Sequence, residues 1–373
     1  MPGGVVVVGG GYGGTLVAEA LDPVADVVLV DPREAFVNVA ASLRALTRPD
    51  WAHNAFFPYE TLLRRGRVVR DRAVSVDATG VTLGGGGRVD ADFVVLATGS
   101  SYAYPARPRR MDSTVDAALS DLRETHDQLG LADRVLILGA GPVGLELAGE
   151  IREVWPGKRV TVVEKNDEIL RGFLPEVGQE VRRQLSELDI ELRLGAGLTS
   201  LPPVPEGQSG AFAVETEGGE EIGADIWFRS FGSRVNTGCL ADGRLVDLPS
   251  SGLVPVTDSL NVAGHENVYA LGDIVDLADP KMATWAQTQA GVVVENLRAR
   301  LEGRSPDAVY TSATERRILL PLGTTGGAGQ LAAPGGTARV VDRETVIERK
   351  GRDLFTARFA ERFHLESPVF LVD

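Results

Sequence analysis

The chain has 373 residues, 38 basic and 52 acidic side chains, a formal net charge of −14, 43% hydrophobic residues, 44 glycines and one cysteine. At roughly 150 residues per domain this predicts two or three domains with sizeable cores, and the ordinary apolar content excludes global disorder. The acidic balance opposes a nucleic-acid partner, and one cysteine excludes an internal disulfide, a Cys-x-x-Cys pair and a Cys-based zinc cluster within this chain.

Met1 to Gly4 carry no basic leader, and Val5–Val8 is too short for a signal core. Pro2 stands where N-myristoylation requires glycine. No apolar run approaches a membrane span. A cytoplasmic chain is expected, with contact at a membrane surface left open. The excess of arginine over lysine fits a GC-rich bacterial genome.

Val5–Val8 reads as a buried parallel strand running into Gly9-x-Gly11-x-x-Gly14, a helical stretch, and a second strand, Val27–Val30, that ends in Asp31. The first glycine permits the tight turn. The second admits a pyrophosphate next to the backbone, and the third lets helix and strand pack closely. The anion then sits on a helix N-terminus, and Asp31 accepts from ribose hydroxyls. Gly84–Gly87 reads as a turn between strands, and Phe93–Leu96 as a strand ending in Ala97-Thr98-Gly99. Pro105–Arg110 reads as a linker.

The pattern then recurs about 130 residues later. Val135–Leu138 runs into Gly139-x-Gly141-x-x-Gly144, and Val160–Val163 ends in Glu164. A carboxylate there attracts a free 2′-hydroxyl and repels a 2′-phosphate, which favours NADH over NADPH; the adjacent Lys165 tempers that preference and keeps NADPH as the alternative. Glu146 reads either as a first-turn acid on the helix dipole or as a contact near a nicotinamide. Two dinucleotide sites suggest a resident flavin and an exchanging nicotinamide. Leu201–Gly210 is a Pro/Gly-rich loop, and Cys239, in a later loop far along the chain from both fingerprints, reads as a bystander thiol. Val268–Asp273 reads as a strand ending in Gly272-Asp273, whose carboxylate suits a ribityl hydroxyl. His53, His126, His265 and His364 form no metal spacing, and no metal is assigned. The last 70 or so residues contain a glycine-rich stretch, Gly323–Gly336, and strand-like segments at Ala338–Val341 and Leu354–Phe359.

These motifs, in this order, resemble the two-dinucleotide-binding-domain flavoproteins of the pyridine nucleotide-disulfide oxidoreductase superfamily. The stretches Asn38–Ala45, Phe173–Val177, Asn267–Asp273, Pro280–Ala283 and Arg352–Phe355 are similar to the apoptosis-inducing-factor-like, ferroptosis-suppressor NAD(P)H:quinone reductases. The resemblance implies an α/β fold with two Rossmann-like domains and a small α+β C-terminal domain. A discontinuous FAD domain would span 1–112 and 253–304, with an NAD(P)H domain inserted at 113–252 and the C-terminal domain at 305–373. It implies FAD and NADH as cofactors. Gly9, Gly11, Gly14 and Tyr12 would lie at the FAD pyrophosphate, Asp31 at its ribose, Arg44 along its phosphates, and Thr98, Gly99, Gly272 and Asp273 along the flavin. Gly139, Gly141, Gly144, Glu164 and Gly232 would hold the nicotinamide cofactor. Lys281 and Met282 would open a helix whose N-terminus faces the isoalloxazine, where negative charge develops on reduction. Arg44 also reads as a surface arginine, and Lys281 as a solvated helix-start charge.

Ala283-x-x-Ala286-x-x-Gln289 resembles the quinone-site helix of type II NADH dehydrogenases, with Thr284 where those enzymes carry glutamine. Trp285 and Gln287 read as pocket residues, or Trp285 as core. Lys281, Glu146 and Gln289 are thus the candidate catalytic residues, and a quinone the expected small-molecule acceptor. Competing readings are a reductase for ferredoxin or rubredoxin, a specialised-metabolism flavoenzyme, and a slow NADH-responsive binding protein. Residues 368–372 are the apolar segment that would touch a membrane. Oligomeric state stays open.

Overall fold

The computed structural model describes residues 3–110, 112–313 and 316–365. Chain order begins with a strand at Gly4–Val8 (β1), a helix at Tyr12–Leu21 (α1), a strand at Asp26–Asp31 (β2) and a helix at Val39–Thr47 (α2). Strands follow at Arg67–Arg70 (β3) and Phe93–Leu96 (β4), then a helix at Val115–Leu131 (α3). The second glycine loop joins the strand Arg134–Leu138 (β5) to the helix Pro142–Val154 (α4), with a strand at Arg159–Val163 (β6) behind it. The helix Pro175–Glu187 (α5) and the strand Ile190–Arg193 (β7) precede a hairpin of Phe212–Glu215 (β8) and Glu221–Ala224 (β9) and a strand at Ile226–Arg229 (β10). Val268–Ala270 (β11) and the helix Ala283–Leu301 (α6) come next. The chain then forms strands Ile318–Leu322 (β12), Gly326–Ala333 (β13) and Thr337–Val341 (β14), and a helix at Thr356–Arg362 (α7).

Two parallel sheets result. The first has the order β11-β4-β1-β2-β3, so a late strand returns to pair beside the early ones. The second has the order β7-β6-β5-β10. Val5–Val8 of β1 and Val135–Leu138 of β5 are all apolar because both faces of each strand are covered. Val5 and Val7 of β1 enter one core cluster and Val6 and Val8 another. Val135 and Ile137 of β5 face one cluster, Leu136 and Leu138 the opposite one.

The C-terminal strands form an antiparallel sheet, β12-β13-β14. Ala338–Val341 is a strand as predicted. Leu354–Phe359 is not: Leu354 and Phe355 take left-handed φ values of 52° and 66°, and α7 starts immediately after them. The alternating apolar residues there serve a turn and a helix face, because Phe359 and Phe363 pack on Phe36 and Phe57 of the first unit. Ile318, Leu320 and Leu322 meanwhile join the core beneath the second sheet. The C-terminal segment therefore packs into both halves. Among the described residues no helix is long and apolar enough to cross a membrane, and residues 368–372 lie outside them.

Candidate functional site

The two glycine loops divide their labour in the same way. Gly9 has φ +104° and Gly139 φ +105°, where a side chain is strained. A Cβ on Gly14 would lie 1.9 Å from the Gly9 carbonyl oxygen, and one on Gly144 2.0 Å from that of Gly139. These two are glycine because helix and strand touch. Gly11 and Gly141 differ: a Cβ there meets nothing within 4 Å. They border open space, the room a phosphate needs beside bare backbone N–H groups.

At the end of β2, buried Asp31 accepts the Gly10 N–H at 2.6 Å and is gripped by the Arg33 guanidinium through two contacts of 2.8 Å. Burial alone would raise this carboxyl, but the charge and hydrogen bonds of Arg33, with the Gly10 N–H, hold it below the usual carboxylate range. A cleft of about 500 Å³ opens beside it, lined by Gly9, Asp31, Arg33, Thr98 and Asn236 among others. The Thr98 hydroxyl donates to the Asn236 carbonyl at 2.6 Å, and the Gly99 carbonyl accepts from the Asn236 N–H at 2.9 Å. Tyr12, on the loop, donates to Asn38 Oδ1 at 2.9 Å and accepts from the Ala40 N–H at 3.2 Å. Burial pushes its hydroxyl up to about 12.

Further along, Gly272 turns with φ +81° and the Ser100 hydroxyl donates to Asp273. Lys281 Nζ donates to the Val275 carbonyl at 2.7 Å; desolvation lowers its pKa against the pull of Asp273, Asp276 and Asp279. Met282 is the N-cap of α6. No side chain caps that end and no acid sits in its first turn, so its N–H groups and positive dipole end are available to an anion.

On the second sheet, Glu164 accepts the Ala140 N–H at 3.0 Å and both the N–H and the side-chain amide of Asn166. A cleft of about 610 Å³ lies against it, with Gly139, Lys165, Phe231 and Gly232 in its lining. Glu146, on α4, is buried and paired with Lys350 at 2.7 Å. Burial raises the Glu146 carboxyl and Lys350 opposes that. The Glu146 charge also adds to the rise of the Tyr12 hydroxyl.

The sequence profile of the pyridine nucleotide-disulphide oxidoreductases matches residues 3–291. The chain belongs to that family. FAD and NAD(P)H are accordingly its cofactors, and it is an NAD(P)H-dependent oxidoreductase. Ferroptosis suppressor protein 1 of Taeniopygia guttata is 31% identical over 95% of this chain and 94% of that protein. The Homo sapiens protein of the same name is 30% identical over 95% and 94%. Among solved structures, the sulfide:quinone oxidoreductase of Aquifex aeolicus superposes with a TM-score of 0.71 at 17% identity, over 96% of this chain and 90% of that one. NDH2 of Plasmodium falciparum in complex with NADH gives 0.69 at 12%, over 98% and 94%. At these identities the two structures speak to the fold.

For this family member, three residues sit elsewhere than the sequence suggested. Arg44 does not offer its guanidinium to a phosphate. It is fully buried, bound to Glu150 Oε1 through Nε at 3.0 Å and Nη2 at 2.8 Å, and donates to the Arg352 carbonyl. The buried acid of α4 claims it. Gln289 is likewise occupied: its Oε1 accepts the Gly272 N–H at 2.7 Å and its Nε2 donates to buried Asp279 at 3.2 Å. It positions the Gly272-Asp273 turn, and both ends of its amide are tied to the protein. Cys239 is not remote from the first fingerprint, since it lines the cleft beside Asp31. Burial pushes its thiol up to about 11, so it stays protonated at neutral pH. Trp285 is core, as one of its two sequence readings had it, 5% exposed, with its indole N–H unpartnered.

Two residues escaped the sequence reading. Lys350 sits in a π-helical turn, Ile347–Gly351, and only the tertiary fold brings it to Glu146. Arg107 lies in the segment read as a linker. Its Nε is buried without a partner, desolvation lowers its pKa, and Arg33, Tyr12, Asp273 and Asp31 are the charges and hydroxyls around it. An arginine soon after the strand-end Thr98-Gly99 was the available signal.

Proposed function

We propose that this chain oxidises NADH and delivers the electrons through FAD to a quinone-type small acceptor, with no thiol of its own taking part. The observation that carries the last clause is Cys239: a single buried cysteine with a raised pKa has no partner for disulfide exchange in this chain and little thiolate with which to begin one. The resemblance to NAD(P)H:quinone reductases supports a quinone as acceptor. Glu164, clamped by Ala140 and Asn166 at the strand end, supports NADH over NADPH.

The residues present fit a flavin dinucleotide. Gly11 leaves the space, Arg107 supplies a cation whose buried Nε has no partner, and the uncapped end of α6 supplies a second positive field. Bound FAD supplies the two-electron relay; the protein supplies orientation, charge and protons. NADH brings one proton with its hydride, and a quinol carries two. We assign the second to the Glu146–Lys350 pair, where Lys350 Nζ donates to Glu146 Oε1 and burial holds the Glu146 carboxyl above the usual carboxylate range.

The test is anaerobic. Flavin bands of the purified protein should bleach with NADH and return on addition of a water-soluble quinone. Bands that bleach yet return only with oxygen would remove the quinone from this reading.

A further inference from the structure

The cleft beside Glu164 has a second acid in its lining. Glu217 belongs to the turn between β8 and β9, on a different element from Glu164. Two features describe its position. Its backbone N–H donates to the Gly197 carbonyl at 2.7 Å, tying the hairpin turn to the loop after β7. Its carboxylate lies over Gly197 itself, where a Cβ would come within 2.7 Å of Oε2 and 2.8 Å of Cδ. Glycine at 197 thus makes room for the carboxylate against the loop. The neighbouring Glu220 points elsewhere and pairs with Arg193 at 2.6 Å. Among the described residues lining the cleft, Lys165 is the one cation. Glu164 is fixed by three hydrogen bonds and has no freedom to withdraw from an incoming anion.

We propose that Glu217 is a second determinant of NADH over NADPH, acting across the cleft from a separate element. The proposal rests on the NADH reading and deepens it. A 2′-phosphate brings about −1.5 to −2 charges into a space already lined by two carboxylates, one of them fixed, and one lysine. Glu217 is exposed, so its repulsion is partly screened and falls with salt. Removing Glu164 alone then leaves an acidic cleft, and full use of NADPH requires both changes.

The holoenzyme tests this as wild type, Glu217→Gln, Glu164→Gln and the double variant. Two quantities are read for each: kcat/KM for anaerobic flavin bleaching by NADH and by NADPH, and calorimetric dissociation constants for NAD⁺ and NADP⁺. Glu217→Gln should raise the NADPH-to-NADH ratio about fivefold at low salt, as expected for one exposed charge. It should also flatten the salt dependence of that ratio, and the double variant should exceed either single one. If Glu164→Gln moves the ratio and Glu217→Gln leaves both ratio and salt slope as in wild type, the proposal is overturned and the NADH reading survives. If the wild type shows no preference for NADH, the underlying reading falls and this proposal with it.

Discussion

Burial and charge decide what single side chains do here. Arg44 and Arg107 are both candidates for a phosphate contact, yet Arg44 is already taken by a carboxylate, that of Glu150. A buried guanidinium N–H left without a partner is costly unless a ligand accepts from it, and this is why Arg107 is the better candidate for a phosphate contact. Arg107→Gln should lower FAD retention at least tenfold on gel filtration, and Arg107→Lys should recover part of it; equal retention in all three proteins would return Arg107 to a structural role. Glu146 gives a pH expectation. Its carboxyl is raised by burial, so it holds its proton to higher pH than an exposed glutamate, and proton delivery falls as pH rises through that raised value. Reoxidation of the reduced enzyme by quinone should therefore slow toward alkaline pH in the wild type. Glu146→Gln should slow reoxidation throughout and remove that limb. A limb that persists in the variant would place the proton donor elsewhere.

Helix α4 acts as a strut between the parts of the molecule. Glu146, Glu150 and Glu153 fall on one face of it by helical spacing. Glu146 meets Lys350, Glu150 meets Arg44 and Arg48, and Glu153 meets Arg48 and the Thr324 N–H. Three acids of one helix thereby bind α2 and the C-terminal region. Removing one member of such an array strands the others in a dry interface. Glu150→Ala should cost about 3–5 kcal/mol in chemical denaturation, because Arg44 remains buried and unpaired. A loss below about 1 kcal/mol would mean water reaches the site and the pair is worth no more than a surface one. The same helix illustrates a limit of pattern reading. Its first turn, Pro142 after the Gly141 N-cap, is legible as a glycine-loop start; the destination of its acids is not.

Over the whole molecule, the C-terminal segment is the piece that completes both halves. Phe359 and Phe363 enter an aromatic group with Tyr12, Phe36 and Phe57, while β12 packs under the second sheet. Asn38, the residue before α2, donates to the Leu354 carbonyl at 2.7 Å, tying the strained turn to the residue that also receives Tyr12. Phe359→Ala should therefore destabilise the protein by about 3–5 kcal/mol. Because Tyr12 lies on the glycine loop, it should also loosen FAD, seen as a thermal shift that added FAD partly restores. A protein equally stable without the ring would show that the C-terminal segment rests on the core without supporting it.

The sequence by itself determined the two strand–glycine–helix units, the acids that end their second strands, and the parallel pairing that follows from all-apolar strands. Those features are local. Gly9 and Gly139 need positive φ, Gly14 and Gly144 need a bare Cα against a carbonyl, and each requirement is met within a few residues of chain. The tertiary structure alone decided where the charges go. Glu146 and Lys350 are 204 residues apart, and Arg44 and Glu150 are 106. Cys239 reaches the first cleft, Gln289 is spent on Gly272 and Asp279, and Leu354–Phe359 turns from an apparent strand into a turn and helix. Partners of buried charges are chosen by distance through space and by the cost of leaving an ion dry, and neither quantity is encoded in spacing along the chain.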